Sequence, residues 1–436
     1  MLNKLQLNNV GPSPSMSLDL SSRLNLITGD NGLGKSFLLD VAWWALTRKW
    51  PHELNPDLTS GYVARPTDVK KPATISFNVE SKTRAVEYTS QFSPKDGGWI
   101  GKAGRPWNPG LVIYALGDGG FAVWDPARNY WTKKGNIDVQ ERLPAFVFSQ
   151  SDVWNGRRES INGRETQISN GLIADWASWI KENGADARRM ANVIRALTPE
   201  ASDDHIAPCR EFGKLSADDV REIPMLRMGY GQDVPILFAS LGVRRIVALA
   251  YMLSWAWREH TRASEYIGDQ PSTRIVMIFD ELEAHLHPRW QRLIVPALLT
   301  VTAALTDDNK ATIQLLAATH SPLVMASVEP LFDPKQDSWF DLDFIDRSVV
   351  IEKRPFVRRG DVASWLRSEA FDLGEARSLD SEIAITKAKA LARQDSPSSA
   401  EIDEVEEALK ASLGETDRFW ARWTQFRETI GASKGK

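Results

Sequence analysis

The sequence predicts an α/β fold in which a largely parallel sheet carries a phosphate-binding loop. Three observations predict it. An apolar strand leads into "GDNGLGKS" at residues 29–36, and an apolar helical pattern follows. A second apolar run, residues 275–279, ends in two acids, and a third, in "IQLLAATHSP", ends in a histidine. Buried parallel strands read as continuous apolar runs of this kind, and ligands bind at their carboxyl ends.

The glycine-rich loop has the residues that phosphate binding requires. Its glycines let several N–H groups point into one concavity, and a helix beginning near Lys35 adds its positive dipole end. Lys35 can reach the β- and γ-phosphates of a nucleotide, and the Ser36 hydroxyl can hold Mg²⁺. We therefore expect a bound nucleotide with Mg²⁺. The residues expected to bind it here are Gly29, Asn31, Gly32, Gly34, Lys35 and Ser36.

The other elements follow from changes in periodicity along the chain. Residues 1–28 are predicted as short strands, and "FLLDVAWWALTRKW" as a helix that Pro51 ends. Residues 51–72 are polar and are predicted as a loop. Apolar runs bounded by Gly, Pro and Asn then indicate strands over about 73–150, which we interpret as an antiparallel insertion.

The second half of the chain is predicted to be mainly helical outside the two apolar runs. We expect a helical lobe over about 165–240, a further helix from near Leu241, and a helical, polar tail. The tail has two apolar stripes that either anchor a partner or pack within the chain. Their members are Ile402, Val405, Leu409 and Leu413, and then Phe419, Trp423, Phe426 and Ile430.

The composition is that of an ordinary globular protein. The 436 residues are 42% hydrophobic, which is enough for one large domain or two unequal ones. The net charge is -4, so any nucleic-acid contact needs a local basic patch. Cys209 is the only cysteine, which excludes an internal disulfide and a cysteine-rich zinc site. Because the sequence has neither a signal-peptide pattern nor a long apolar run, we expect a cytoplasmic protein that does not span a membrane.

The acids after residues 275–279 can divide the work of hydrolysis. Asp280 would accept from a Mg²⁺-bound water, and Glu281 would orient and deprotonate the attacking water. The alternative is a solvated acidic turn at the end of a strand. A phosphate loop earlier in the same chain favours the catalytic interpretation.

With these motifs the chain resembles ABC-type ATPases of the RecF, SMC and OLD group. "DELEAHLHP" is similar to their Walker B segment and D-loop, and "AATHSP" to the segment of their switch histidine, here His320, which senses the γ-phosphate. "AFVFSQ" ends in Gln150, which matches their Q-loop and would contact Mg²⁺ and the attacking water. "FASLGVRRIVALAYML" is similar to their signature segment through Ser240 and Gly242. In that family the signature caps the ATP bound to the opposite subunit.

The resemblance implies an ATP-binding, Mg-dependent ATPase head over residues 1–355 that forms a homodimer around ATP, with higher oligomers left open. It implies catalytic roles for Glu281, His320 and Gln150, and metal contacts from Ser36, Asp280 and Gln150. The signature departs from the usual form, because Ala239 replaces leucine and no Gln or Glu follows Gly242.

Residues 356–436 resemble the tail of PtuA-like ATPases from Septu and retron anti-phage defence systems, which are encoded beside an HNH nuclease, PtuB. We therefore expect an ATPase that controls a partner effector, an HNH nuclease supplied in trans. The alternatives are a RecF-like DNA repair ATPase and a nucleotide-gated scaffold with little turnover. Two basic clusters, Arg244-Arg245 and residues 353–359, are either solvated faces or DNA or partner contacts.

Overall fold

The computed structural model describes residues 1–82, 84–101, 107–128, 133–134, 137–138, 143–161, 163–199, 205–306, 311–394 and 397–434. It divides into two compact units, Met1–Gly360 and Asp361–Lys436. None of the described helices is long and apolar enough to cross a membrane.

Twenty strands are present in the described residues: β1 (Leu2–Asn8), β2 (Ser15–Asp19), β3 (Leu24–Gly29), β4 (Thr74–Glu80), β5 (Ala85–Ser93), β6 (Gly98–Trp99), β7 (Leu111–Ala115), β8 (Phe121–Trp124), β9 (Lys133–Lys134), β10 (Ile137–Asp138), β11 (Phe146–Phe148), β12 (Arg157–Ile161), β13 (Arg164–Ser169), β14 (Ile206–Gly213), β15 (Ile223–Met228), β16 (Asp233–Pro235), β17 (Arg274–Phe279), β18 (Thr312–Ala318), β19 (Asp337–Ile345) and β20 (Ser348–Arg354).

The α-helices of the described residues are α1 (Lys35–Thr47), α2 (Pro51–Leu54), α3 (Gln150–Asn155), α4 (Leu172–Glu182), α5 (Ala185–Leu197), α6 (Leu241–Tyr266), α7 (Pro288–Thr306), α8 (Pro322–Val328), α9 (Val362–Leu366), α10 (Leu379–Leu391), α11 (Ser399–Ser412) and α12 (Phe419–Lys434). A 3₁₀ helix over Ile236–Phe238 precedes α6.

The first unit is built on an eight-stranded sheet in the order β11-β8-β7-β17-β18-β3-β19-β20. Its five central strands, β7, β17, β18, β3 and β19, are parallel, and the outer strands pair antiparallel. Residues 275–279 and 313–318 are buried throughout, as continuous apolar runs require in a sheet covered on both faces. Because the central strands run in one direction, the loops after β3, β17 and β18 meet at one edge of the sheet. The predicted α/β fold is confirmed.

Helix α1 lies between the core sheet and a second, antiparallel sheet in the order β2-β1-β4-β5-β6. Eleven of its thirteen residues are buried, and Trp43 and Trp44 are among them. A helix that is apolar on all sides needs such an enclosed place. The burial fixes the axis of α1, and with it the position of the phosphate loop at its start.

The strand-rich stretch over 73–150 does not form one antiparallel insertion. Strands β4, β5 and β6 join β1 and β2, whereas β7, β8 and β11 belong to the core sheet. Strand β7 belongs to the core sheet because its five residues are all buried and it pairs in parallel with β17. Over 165–240, helices α4 and α5 are accompanied by the three-stranded sheet β14-β15-β16, so this lobe is mixed rather than helical.

The second unit is the helical tail, and its two apolar stripes face each other. The stripe of α11 and the stripe of α12 form one core with Ala384, Ile385 and Ala388 of α10. Phe419 is 9% exposed and Trp423 is 3% exposed, so neither is a surface anchor. The interpretation of these aromatic side chains as partner anchors is wrong, because their apolar surface is already buried in the core of the tail itself.

Candidate active site

The phosphate loop joins β3 to α1 at the carboxyl edge of the core sheet. Gly29, Gly32 and Gly34 all have positive φ, of 133°, 81° and 98°. A side chain at Gly29 would strike the Leu342 carbonyl oxygen, at 2.3 Å from the Cβ position, whereas the Cβ position of Gly32 has no neighbour within 4 Å. The loop is therefore tight against the sheet at one end and open at its tip, which is the form a phosphate cradle needs.

Lys35 lies inside this loop. Its Nζ donates to the carbonyl oxygens of Gly29 at 2.7 Å and Asp30 at 2.8 Å. Burial lowers the pKa of Lys35, although the charge of Asp280 opposes this. The ammonium group thus lies at the place where phosphate oxygens would replace two neutral acceptors.

Asp280 follows β17 and meets Ser36 of the phosphate loop. The Asp280 N–H donates to Ala115 of β7 at 3.0 Å. Burial raises the pKa of Asp280, because a carboxylate inside the protein loses hydration, while the nearby Ser36 hydroxyl lowers it. A hydroxyl beside a carboxylate is a donor set that suits Mg²⁺.

Glu281 is exposed and has a left-handed backbone with φ of 51°. Arg245 of α6 reaches this turn: its Nη2 donates to the carbonyl oxygens of Asp280 and Glu281, each at 3.4 Å. Burial lowers the pKa of Arg245. Arg245 is therefore not part of a solvated basic face; it ties α6 to the turn that holds the two acids.

His320 lies beyond β18, the strand between β3 and β17. Its backbone N–H donates to Oε1 of Glu283 at 2.5 Å, and the Thr319 hydroxyl donates to Oε2 of the same carboxylate at 2.7 Å. Burial, with a further contribution from the charge of Lys35, lowers the pKa of His320. Glu283 was missed by the sequence reasoning. The only feature of the sequence that points to Glu283 is its position as the third acid of "DELE". That feature is weak, because acids are common in turns.

Gln150 is the first residue of α3 and lies between Ser149 and Asp152, which form the capping box of this helix. Its side chain lies over Gly119, whose Cβ position is 3.4 Å from Gln150 Cδ. The neighbouring turn "GDGG", residues 117–120, was also missed. A Cβ at Gly117 would lie 3.1 Å from Oδ2 of Asp280, so this turn borders the acids as well.

The signature residues lie at the start of α6. Ser240 is the N-cap and accepts from the Val243 N–H at 3.4 Å. A Cβ at Gly242 would lie 2.6 Å from the His285 carbonyl oxygen, so the glycine allows α6 to touch the D-loop of its own chain. Gln150, Arg244, Arg245 and His285 line a cavity of about 310 Å³ beside this contact.

The structure thus brings together the loop of residues 29–36, the two acids and His320, while Gln150 lines the neighbouring cavity together with Leu241, which lies between the signature residues Ser240 and Gly242. Their individual roles stay predictions. Within the described residues, no group of three or more His, Cys, Asp or Glu side chains could hold a metal ion.

Comparison with known proteins gives a family and several relatives. A family model described as "AAA domain, putative AbiEii toxin, Type IV TA system" matches residues 24–326. The chain is 27% identical over 143 residues to "Retron Ec83 probable ATPase" of Escherichia coli, covering 33% of this chain and 22% of that protein. It is 38% identical over 98 residues to "Retron Vc95 probable ATPase" of Vibrio cholerae serotype O1 biovar El Tor, covering 22% of this chain and 17% of that protein. The chain therefore spans less than a quarter of the length of these curated relatives.

Two solved structures are similar over most of the chain. The Smc head bound to the C-winged helix domain of ScpA is 14% identical, covers 81% of this chain and 97% of its own, and has a TM-score of 0.40. The recombination mediator protein RecF is 11% identical, covers 81% of this chain and 98% of its own, and has a TM-score of 0.37.

Proposed function

The chain belongs to the family of ATPase domains described as "AAA domain, putative AbiEii toxin, Type IV TA system", and from this premise we propose that it binds ATP with Mg²⁺, dimerises around the nucleotide and hydrolyses it. One observation carries the proposal. Lys35 and Ser36, Asp280, and His320 converge at one edge of the sheet from three adjacent strands.

The residues of this chain would share the work as follows. Lys35 exchanges the carbonyl oxygens of Gly29 and Asp30 for phosphate oxygens, which are stronger acceptors because they are charged. Glu281 takes a proton as the water oxygen bonds to the γ-phosphorus, and the bond from the γ-phosphorus to the β–γ bridging oxygen breaks to leave ADP and phosphate. Bound Mg²⁺ would neutralise phosphate charge, and Ser36, Asp280 and Gln150 are the residues that would hold it.

Dimerisation is supported by the surface around the signature. Phe238 is 65% exposed and Leu241 is 53% exposed, and they flank Ser240 at the start of α6. Large apolar side chains clustered on a surface mark an interaction site. Ser240 and Gly242 would then face the nucleotide held by the second subunit, where the N-terminus of α6 offers its dipole to a phosphate.

The test is Glu281→Gln, which keeps the shape and loses the base. We expect ATP binding to persist and turnover to fall by about 10²- to 10⁴-fold, the usual contribution of a general base. The dimer should persist in Mg-ATP, which light scattering would measure. Glu265→Gln, an exposed acid at the far end of α6, is the matched control and should hydrolyse normally. Wild-type turnover in Glu281→Gln would place the base elsewhere.

We also propose that the ATPase controls an effector supplied by another chain, an HNH nuclease in anti-phage defence. The proposal is supported by the two retron ATPases among its relatives. Purification from the native operon should recover a nuclease with this chain. Recovery of the ATPase alone, with turnover stimulated by DNA, would favour the repair alternative; tight ATP binding with almost no turnover would favour the scaffold.

A further inference from the structure

Helix α6 meets the turn after β17 at two points. This turn, residues 280–286, is here called the acid turn. The first point is Gly242, where a Cβ would lie 2.6 Å from the carbonyl oxygen of His285. The second is Arg245, whose Nη2 donates to the carbonyl oxygens of both acids, each at 3.4 Å. The first two turns of α6 therefore hold the acid turn from one side.

The acid turn has a backbone that needs to be held. Glu281 and His285 have left-handed φ, of 51° and 63°, which residues with side chains rarely adopt. Such a conformation persists only where its surroundings enforce it. On the side of the sheet, the Leu282 N–H donates to Ala318 of β18 at 3.3 Å. The position of Glu281 therefore depends on its contact with α6 as well as on the sheet.

Arg245 holds the acid turn without engaging the carboxylates. Both hydrogen bonds that it makes with described residues go to backbone carbonyl oxygens, so the side chains of Asp280 and Glu281 stay available for Mg²⁺ and water. Burial lowers the pKa of Arg245, and the charge of Glu281 is the largest of those that oppose this. Both bonds are long for hydrogen bonds, so a small shift of α6 towards the turn would shorten them together.

The start of α6 is the part that would meet the second subunit. Ser240 caps the helix, and Leu241 beside it is 53% exposed. Every residue from Ile246 to Trp257 is buried. A helix packed in this way shifts as one body, because close-packed interiors do not deform continuously. A contact made at Ser240 is thus passed to Arg245, five residues further along the same helix.

We propose that Arg245 is a positioning residue that sets the catalytic base of its own chain according to the nucleotide held by the second subunit. This inference rests on the proposed function, in which Glu281 is the base and Ser240 and Gly242 cap the opposite ATP. When the signature meets that ATP, the start of α6 is fixed, and Arg245 draws the backbone of Glu281 into place. In a twofold dimer each site then governs the base of the other, so hydrolysis at either site requires ATP at both.

Arg245→Met tests the positioning role, because methionine keeps much of the length of arginine and has no donor. We expect kcat to fall about ten- to a hundredfold, as for a misplaced catalytic group, while KM and the calorimetric Kd for ATP change less than about twofold. Arg245→Lys keeps a donor and the charge, and should restore part of the lost rate. Arg262→Met, an exposed arginine near the far end of α6, is the matched control and should hydrolyse normally.

Hydrogen exchange tests the route from the signature. In the wild type, a non-hydrolysable ATP analogue with Mg²⁺ should slow amide exchange in both the phosphate loop and the acid turn. Phe238→Asp places a charge on the exposed surface beside the signature. This variant should keep the protection of the phosphate loop and lose that of the acid turn. Arg245→Met should give the same pattern while light scattering still detects the dimer.

Three results would overturn the proposal: unchanged kcat in Arg245→Met, a loss of ATP affinity as large as the loss of kcat, or an acid turn that stays protected in Phe238→Asp. If circular dichroism shows that Arg245→Met does not fold, Arg245→Lys and the exchange of Phe238→Asp decide the question. Failure of the proposed function looks different, because it appears as wild-type turnover in Glu281→Gln. An inactive Glu281→Gln beside a fully active Arg245→Met refutes only the role of Arg245.

Discussion

A buried carboxylate behind the phosphate loop should make the stability of the first unit depend on pH. Asp40 lies on α1, one turn beyond the loop, and is 8% exposed. It accepts from the Tyr114 hydroxyl at 2.8 Å. Burial, partly offset by the Tyr114 hydrogen bond, raises the pKa of Asp40 to about 7 from its ordinary value of 3.8.

The sign and size of the effect follow from this shift. Between about pH 4 and pH 7 the folded chain keeps a proton that the unfolded chain releases, so the free energy of unfolding falls as pH rises. A difference of about three pKa units corresponds to about 4 kcal/mol in the free energy of unfolding. This contribution is fully lost above about pH 7. Asparagine keeps an acceptor for Tyr114 and cannot ionise. Allowing about 1 kcal/mol for weaker hydrogen bonds, Asp40→Asn should be about 3 kcal/mol more stable than the wild type at pH 8.

Urea unfolding at several pH values from 4 to 8.5 would measure this, with the wild type and Asp40→Asn compared at each pH. The difference between the two curves isolates Asp40, because every other group titrates in both proteins. It should be near zero or slightly unfavourable at pH 4 and grow to its full value by about pH 8. Parallel curves, or a variant that is less stable at pH 8, would refute the reasoning.

Two further predictions concern the site itself. Lys35→Ala should abolish ATP binding measured by calorimetry and leave the circular dichroism spectrum unchanged, because Lys35 bonds only two loop carbonyls; retained affinity in a folded variant would contradict the assignment of the loop. Glu283→Gln should lower kcat by about ten- to a hundredfold with little change in KM, because an amide cannot accept from both the His320 N–H and the Thr319 hydroxyl as the carboxylate does. Single-turnover rates equal to the wild type would show that Glu283 has no role in placing His320.

The sequence by itself determined the parts of the site that are local. Glycine spacing predicts a phosphate loop at residues 29–36, and apolar runs that end in polar residues predict site roles for the acids after β17 and for His320 after β18. These patterns can be found in a single sequence, because a buried parallel strand must be apolar throughout and its ligand-binding residues must come directly after it.

Only the tertiary structure decided which distant residues meet. The order β17-β18-β3 places His320 between the acids and the phosphate loop, and it lets Glu283 hold the turn at Thr319 and His320. The same holds for the apolar stripes of the tail. Their periodicity reveals a buried side of each helix, but a helix buries its apolar side equally well against a neighbour or a partner. Here α10, α11 and α12 bury those sides in one another, because all three are present in the same compact unit and can meet without a second chain.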